Sequence, residues 1–276
     1  MANITAADVN KLRQQTGAGM MDCKKALVEA DGDFEKAIEI LRKKGQKVAA
    51  NRADRNSSEG AVIATVNDNA TKGVIVALNC ETDFVGKNES FVQLARDLAK
   101  TALENDAKTV EDFLKVPFGN ITVGEKLIEQ TGVIGEKIEI SNLTRLEGAY
   151  VGSYIHNGNK LATLVSLSAN VEGAKEAAHN VAMQAAAMNP IALDEAGVAK
   201  DVIEKEIEIA KELLRKEGKP EAMLDNIAKG KLARFFKDNT LVNQEYIMDN
   251  KVTVAQYVAS VSKELTVTGF ARVTIA

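Results

Sequence analysis

The feature that most constrains this chain is that part of it is written twice. Glu147-Gly148-Ala149 repeats Glu59-Gly60-Ala61 at an offset of 88 residues, and Lys160 follows Lys72 at the same distance. Each copy has an apolar strand-like run, a polar turn and a second apolar run. In the first copy these are residues 61–66 and 73–79, around Asn67-Asp68-Asn69. In the second, residues 161–167 follow Asn157-Gly158, a pair suited to a two-residue hairpin because both positions accept positive φ. Each copy then enters an apolar helical stretch, residues 91–103 and 175–188. Agreement of order, offset and flanking residues points to a duplicated strand–strand–helix unit rather than two unrelated hairpins. That pattern predicts an α+β fold with core halves at 59–146 and 147–276.

Further segments attach to this core. Residues 1–45 read as three short helices. Thr5 and Asp8 have capping-box spacing, with Ile4 and Val9 placed for a hydrophobic staple. Thr16-Gly17-Ala18-Gly19 stops the first helix, since glycine tolerates the positive φ of a C-terminal cap. Cys23, Ala26, Leu27 and Ala30 make one helical stripe. Asp33 caps a third helix carrying Phe34, Ala37, Ile38 and Leu41, and Gly45 is expected to close it. Residues 46–58 read as a polar linker. Within the core, 109–114 and 122–130 read as short helices and 136–140 as a strand. Residues 194–238 show a narrow stripe, Ile203, Ile207, Ala210 and Leu214. It returns through Leu224, Ile227, Ala228 and Phe235 across Gly218-Lys219-Pro220. This spacing predicts an antiparallel, coiled-coil-like helical hairpin projecting from the body. In the tail, Thr253 and Gln256 have capping-box spacing, and residues 266–275 read as a last strand.

What the chain lacks narrows its function. A formal charge of -4 is far from the basic excess that phosphate neutralisation demands of a nucleic-acid binder. With no Trp and only 4 Tyr, a base-stacking surface is not expected. Lys43, Lys44, Lys47, Arg52 and Arg55 form the one basic cluster, read as solvated. Cys23 and Cys80 lie in apolar surroundings, as buried thiols do in a reducing cytosol. His156 and His179 have no ligand-spaced partner, so no metal site is expected. The N-terminus has no apolar h-region, and the apolar run 74–78 is far too short to cross a bilayer, so a cytoplasmic protein is expected. No phosphate-binding loop, dinucleotide fingerprint or nucleophile elbow occurs. His156, at the second hairpin turn, has no partner to orient it as a base. The expectation is a binding protein, not an enzyme.

The two units differ most after their second strand. The first continues Asn79-Cys80-Glu81-Thr82-Asp83-Phe84-Val85-Gly86-Lys87-Asn88, the second Ser168-Ala169-Asn170-Val171-Glu172. Gly86 would leave this loop free to turn. If Phe84 packs inward it plugs the core and Asp83 caps a helix, which spacing alone favours. If Phe84 is exposed at the tip, it is an interface anchor.

Residues 16–27, Thr16-Gly17-Ala18-Gly19-Met20-Met21-Asp22-Cys23-Lys24-Lys25-Ala26-Leu27, resemble the N-terminal signature of the translation elongation factor Ts family. Thr82-Asp83-Phe84-Val85 resembles its second signature. The resemblance covers nearly the whole chain: three-helix module, duplicated core, helical hairpin and final Thr-Gly-Phe strand. It implies a guanine-nucleotide exchange factor for elongation factor Tu, binding the GDP-bound and nucleotide-free GTPase. The N-terminal helices, similar to a ubiquitin-associated fold, are implied to contact its nucleotide-binding domain through Leu12, Thr16, Gly17, Ala18, Gly19, Met20 and Met21. Thr82, Asp83, Phe84 and Val85 are implied to enter beside its magnesium. The His156 turn is implied to reach another domain, with the helical hairpin as an accessory contact. GDP, GTP and magnesium belong to the partner, so no cofactor is implied, nor any nucleic-acid or membrane contact.

Overall fold

The computed structural model describes residues 4–275; the first three residues of the predicted N-terminal module and Ala276 lie outside that range. The module is built as its caps dictate. Helix α1 (Ala6–Thr16) opens on the Thr5/Asp8 capping box and ends at Gly17, whose φ of 69° carries the chain into α2 (Met20–Glu29). Helix α3 (Phe34–Asn51) is capped by the Asp33 side chain, which accepts from Lys36 N. Leu12, Cys23, Leu27 and Ala37 fill the space between the three.

The expected stop at Gly45 does not occur. Gly45 is buried in the middle of α3, and residues 46–51 of the predicted linker continue the helix. Glycine is there for a close approach, not for a turn. A Cβ at Gly45 would lie 3.1 Å from the Ile128 carbonyl, and one at Gly132 would lie 2.6 Å from the Gly45 Cα.

The first core half runs β1 (Glu59–Val66), β2 (Lys72–Cys80), α4 (Asp83–Gly86), α5 (Glu89–Leu103), α6 (Val110–Phe113), the short hairpin β3 (Pro117–Phe118) and β4 (Ile121–Thr122), α7 (Val123–Ile134) and β5 (Glu139–Glu147). The second runs β6 (Tyr150–Ile155), β7 (Leu161–Leu167), α8 (Ala174–Met188), α9 (Lys200–Lys216), α10 (Glu221–Asn239), the hairpin β8 (Glu245–Tyr246) and β9 (Asp249–Thr253), α11 (Val254–Val261) and β10 (Val267–Thr274). Gly132 of α7 is the residue against which α3 crosses. The fold is α+β, with two three-stranded antiparallel sheets in the orders β1-β2-β5 and β6-β7-β10.

The repeated unit is larger than a strand–strand–helix. Each copy also contains a small hairpin, a capped helix and a third strand. The boxes Thr122/Glu125 and Thr253/Gln256 open the equivalent helices α7 and α11. The predicted strand at 136–140 begins late, at Glu139, and continues to Glu147, so Glu147 closes the first half. The register also differs by one residue. Val62 N donates to Asn159 O and Val151 N donates to Ala70 O, both at 2.6 Å. These two bonds are related by an approximate two-fold that makes Val62 equivalent to Val151 and Ala70 equivalent to Asn159, an offset of 89. A slip of one would turn every strand side chain to the opposite face.

The two sheets lie face to face. Val62, Ala64, Ile75 and Ala77 meet Val151, Ala162, Leu164, Val273 and Ile275 between them. The alternate residues, such as Ile63, Val74, Val76 and Leu78, pack outward against Phe91, Leu94 and Leu98 of α5. On the other side Val165 and Leu167 pack against Ala178, Val181 and Ala182 of α8. This two-sided burial explains why β2 and β7 read as nearly continuous apolar runs. Helices α9 and α10 form the expected antiparallel hairpin, closed on itself by Ala210, Leu214, Leu224 and Ala228.

Candidate functional site

The segment after β2 is one turn of helix rather than a loop. Thr82 is its N-cap residue and Asp83–Gly86 form the turn. Consecutive helical residues point about 100° apart, so Phe84 and Val85 cannot share an environment. Val85 packs on the first-half core. Phe84 is 85% exposed, more than any other large hydrophobic among the described residues. The core-plug alternative is therefore wrong, and the ring stands in solvent. Asp83 is the first residue of the turn, not its cap, and its Oδ2 accepts from Lys87 Nζ at 2.7 Å. That hydrogen bond, with the Lys87 charge, holds the carboxyl below its ordinary pKa. Gly86 is needed for closeness, not for a turn. A Cβ there would sit 3.0 Å from Gly60 N, beneath the tip.

Two carboxylates anchor the approach to this turn. Glu136, in the connection from α7 to β5, accepts from Thr82 Oγ1 at 2.6 Å and from the backbone N–H groups of Glu81 and Thr82 at 3.0 Å each. Glu81 accepts from Lys137 N at 2.6 Å and from Arg52 Nη1 through both its oxygens, at 2.8 and 2.9 Å. Burial alone would raise the Glu81 pKa; the Lys137 N–H and Arg52 outweigh it and lower it. Arg52 is the C-cap residue of α3, so the N-terminal module is tied directly to the tip segment. Sequence reasoning missed Glu136 and placed Arg52 in a solvated linker. Neither has a local motif, since their partners lie 54 and 29 residues away.

Cys80 lies beneath, fully buried, with its thiol donating to Thr82 O at 3.1 Å. Burial pushes this thiol up to about 12, which removes it from nucleophilic chemistry. Lys160 of the second half reaches Glu59 at 2.6 Å and also helps to lower the Asp83 pKa, so the tip lies at the junction of the halves.

The other predicted residues separate into two kinds. Leu12 is fully buried and Ala18 nearly so, making them part of the module core. Thr16 Oγ1 donates to Leu12 O at 2.8 Å, and Gly17 and Gly19 shape the turn between α1 and α2. Met20 and Met21 are 59% and 65% exposed, an apolar pair on the module surface. His156 is exposed at the β6–β7 turn. Its Nδ1 lies 3.0 Å from Tyr154 Oη, and the Tyr154 ring meets His179 edge-on. The basic cluster is largely paired: Lys43 with Glu39, Lys44 with Asp22 and Arg52 with Glu81. Among the described residues no group of three or more His, Cys, Asp or Glu could hold a metal ion, and no helix is long and apolar enough to cross a membrane.

The sequence pattern of the family described as Elongation factor TS matches residues 81–276, from the tip segment through the second sheet. The chain belongs to the elongation factor Ts family. It is 68% identical to the Elongation factor Ts of Flavobacterium psychrophilum, over 99% of this chain and 98% of that one. It is 66% identical to that of Christiangramia forsetii over the full length of both. The Elongation factor Ts of Bacteroides fragilis is 41% identical, over 99% of this chain and 98% of its own. Membership of the elongation factor Ts family makes this chain a translation factor.

Proposed function

We propose that this elongation factor Ts family member is a non-catalytic guanine-nucleotide exchange factor for elongation factor Tu, acting in the cytoplasm. The observation that carries the proposal is Phe84, an aromatic ring held in water on a turn whose neighbours are all anchored. Such a ring costs hydration free energy until a partner buries it, and a buried aromatic anchor contributes about 2 kcal/mol or more to an interface. Phe84 acts as a wedge in the GTPase, with Asp83 beside the polar groups that organise its magnesium. Met20 and Met21 supply a second contact through the N-terminal module, and the His156 turn a third from the far half. Because coupling is reciprocal, a factor that favours the nucleotide-free GTPase is itself displaced when nucleotide returns. The factor needs no cofactor and does not choose GTP over GDP.

The test is release of fluorescent GDP from elongation factor Tu, chased with excess unlabelled nucleotide. Added chain is expected to accelerate release in proportion to its concentration until saturation. Binding without acceleration would reduce the chain to an adaptor and overturn the proposal.

A further inference from the structure

We propose that Glu136 is a positioning residue for the Phe84 wedge, assisted by Arg52 acting through Glu81. The inference rests on the exchange reading above and extends it to side chains that do not themselves meet the partner. An exposed ring can act as a wedge only if its own backbone resists being pushed back. A one-turn helix cannot supply that resistance, because it is too short to be stable alone. The structure supplies it from outside. Glu136 takes three hydrogen bonds from the two residues before Asp83. Charge-assisted bonds of this kind are about twice as strong as neutral ones. Glu81, the first of those two residues, is itself held through its carboxylate by Arg52. Gly86 then seats the far end of the turn against Gly60. The turn is thus fixed at both ends while its apex, Phe84, touches solvent. No other exposed large hydrophobic of the described residues sits on so short a helix.

Two measurements test this, one of them independent of any partner. The sequence contains no Trp, so Phe84→Trp places the only indole at the apex. Its nanosecond anisotropy decay reports how firmly the turn is held. Adding Glu136→Ala is expected to free the indole. Glu136→Gln is expected to restore most of the restraint, because the amide oxygen still accepts both backbone N–H groups while its NH2 donates to Thr82 Oγ1. In the second measurement Phe84 is retained and GDP release from elongation factor Tu is followed against factor concentration. Glu136→Ala is expected to lower the maximal rate by up to about a hundredfold, the cost of a misplacement of about 1 Å. The half-saturating concentration should change less than about twofold, since the other contacts remain. Glu136→Gln should recover most of the rate. If Glu136→Ala does not fold, Thr82→Val removes only the hydroxyl bond and should show a smaller loss of the same kind.

An unchanged anisotropy decay in the alanine variant, or a defect seen wholly as weaker association, overturns the positioning role. If Phe84→Ala leaves factor-stimulated release untouched, the wedge role of Phe84 fails instead, and the anisotropy arm still judges whether Glu136 holds the turn; if the unaltered chain gives no acceleration, it is the exchange reading that fails.

Discussion

At the scale of single residues, the site depends on the different fates of Phe84 and Val85. One anchors the turn to the first-half core and the other is left out. Nothing in the spacing of residues 79–88 distinguishes them, because both are apolar and adjacent. The choice is made by Glu136 and Gly60, which are distant in sequence. For this reason the chemistry of the site was legible in residue types, while its orientation was not. Phe84→Ala should leave the thermal midpoint unchanged, since a ring 85% exposed contributes almost no core. Loss of a buried interface anchor worth about 2 kcal/mol should slow factor-stimulated GDP release roughly thirtyfold. A thermal scan and a stopped-flow release trace on one preparation check both halves of that statement.

At the scale of elements, the α9–α10 hairpin is legible in the sequence and the end of α3 is not. The hairpin was legible because its stripe, its Gly218-Lys219-Pro220 turn and its flanking charges are all local. Ala210, Leu214, Leu224 and Ala228 are buried as the periodicity requires. Its feet are stitched together by Ile191 N donating to Asn239 O and Leu241 N donating to Ala192 O, both at 2.9 Å. Replacing residues 200–238 with a short Gly/Ser link should therefore preserve one cooperative unfolding transition, followed by circular dichroism. A second transition or lost cooperativity would show that the hairpin braces the core. Helix α3 was misjudged at Gly45, because a glycine that stops a helix and one that lets two helices touch look alike in sequence. Gly45→Val should overpack the α3–α7 crossing at a cost of roughly 1–3 kcal/mol. Hydrogen exchange should then speed up in α1–α3 before it does in the sheets.

At the scale of the whole molecule, the duplication was legible but its register was not. Glu59/Glu147 and Lys72/Lys160 match at 88, whereas the sheets superpose their inward faces at 89. The matching residues are polar and sit at strand ends, where they carry no facing information. The inward side chains Val62 and Val151, or Ile75 and Leu164, do carry it. The two halves differ most after their second strand. The first carries the exposed Phe84 ring; in the second the corresponding stretch holds no aromatic ring, and α9 and α10 follow α8 before its small hairpin.

The face-to-face sheets also bear on how the protein is made. When the first half leaves the ribosome, the apolar surface of Val62, Ala64, Ile75 and Ala77 has nothing to cover it. Val273 and Ile275, at the far end of the chain, are among its final neighbours. At roughly 5–20 residues per second, that surface waits on the order of ten seconds for its sister sheet. During synthesis the growing polypeptide thus carries an aggregation-prone face until its last strand has been made.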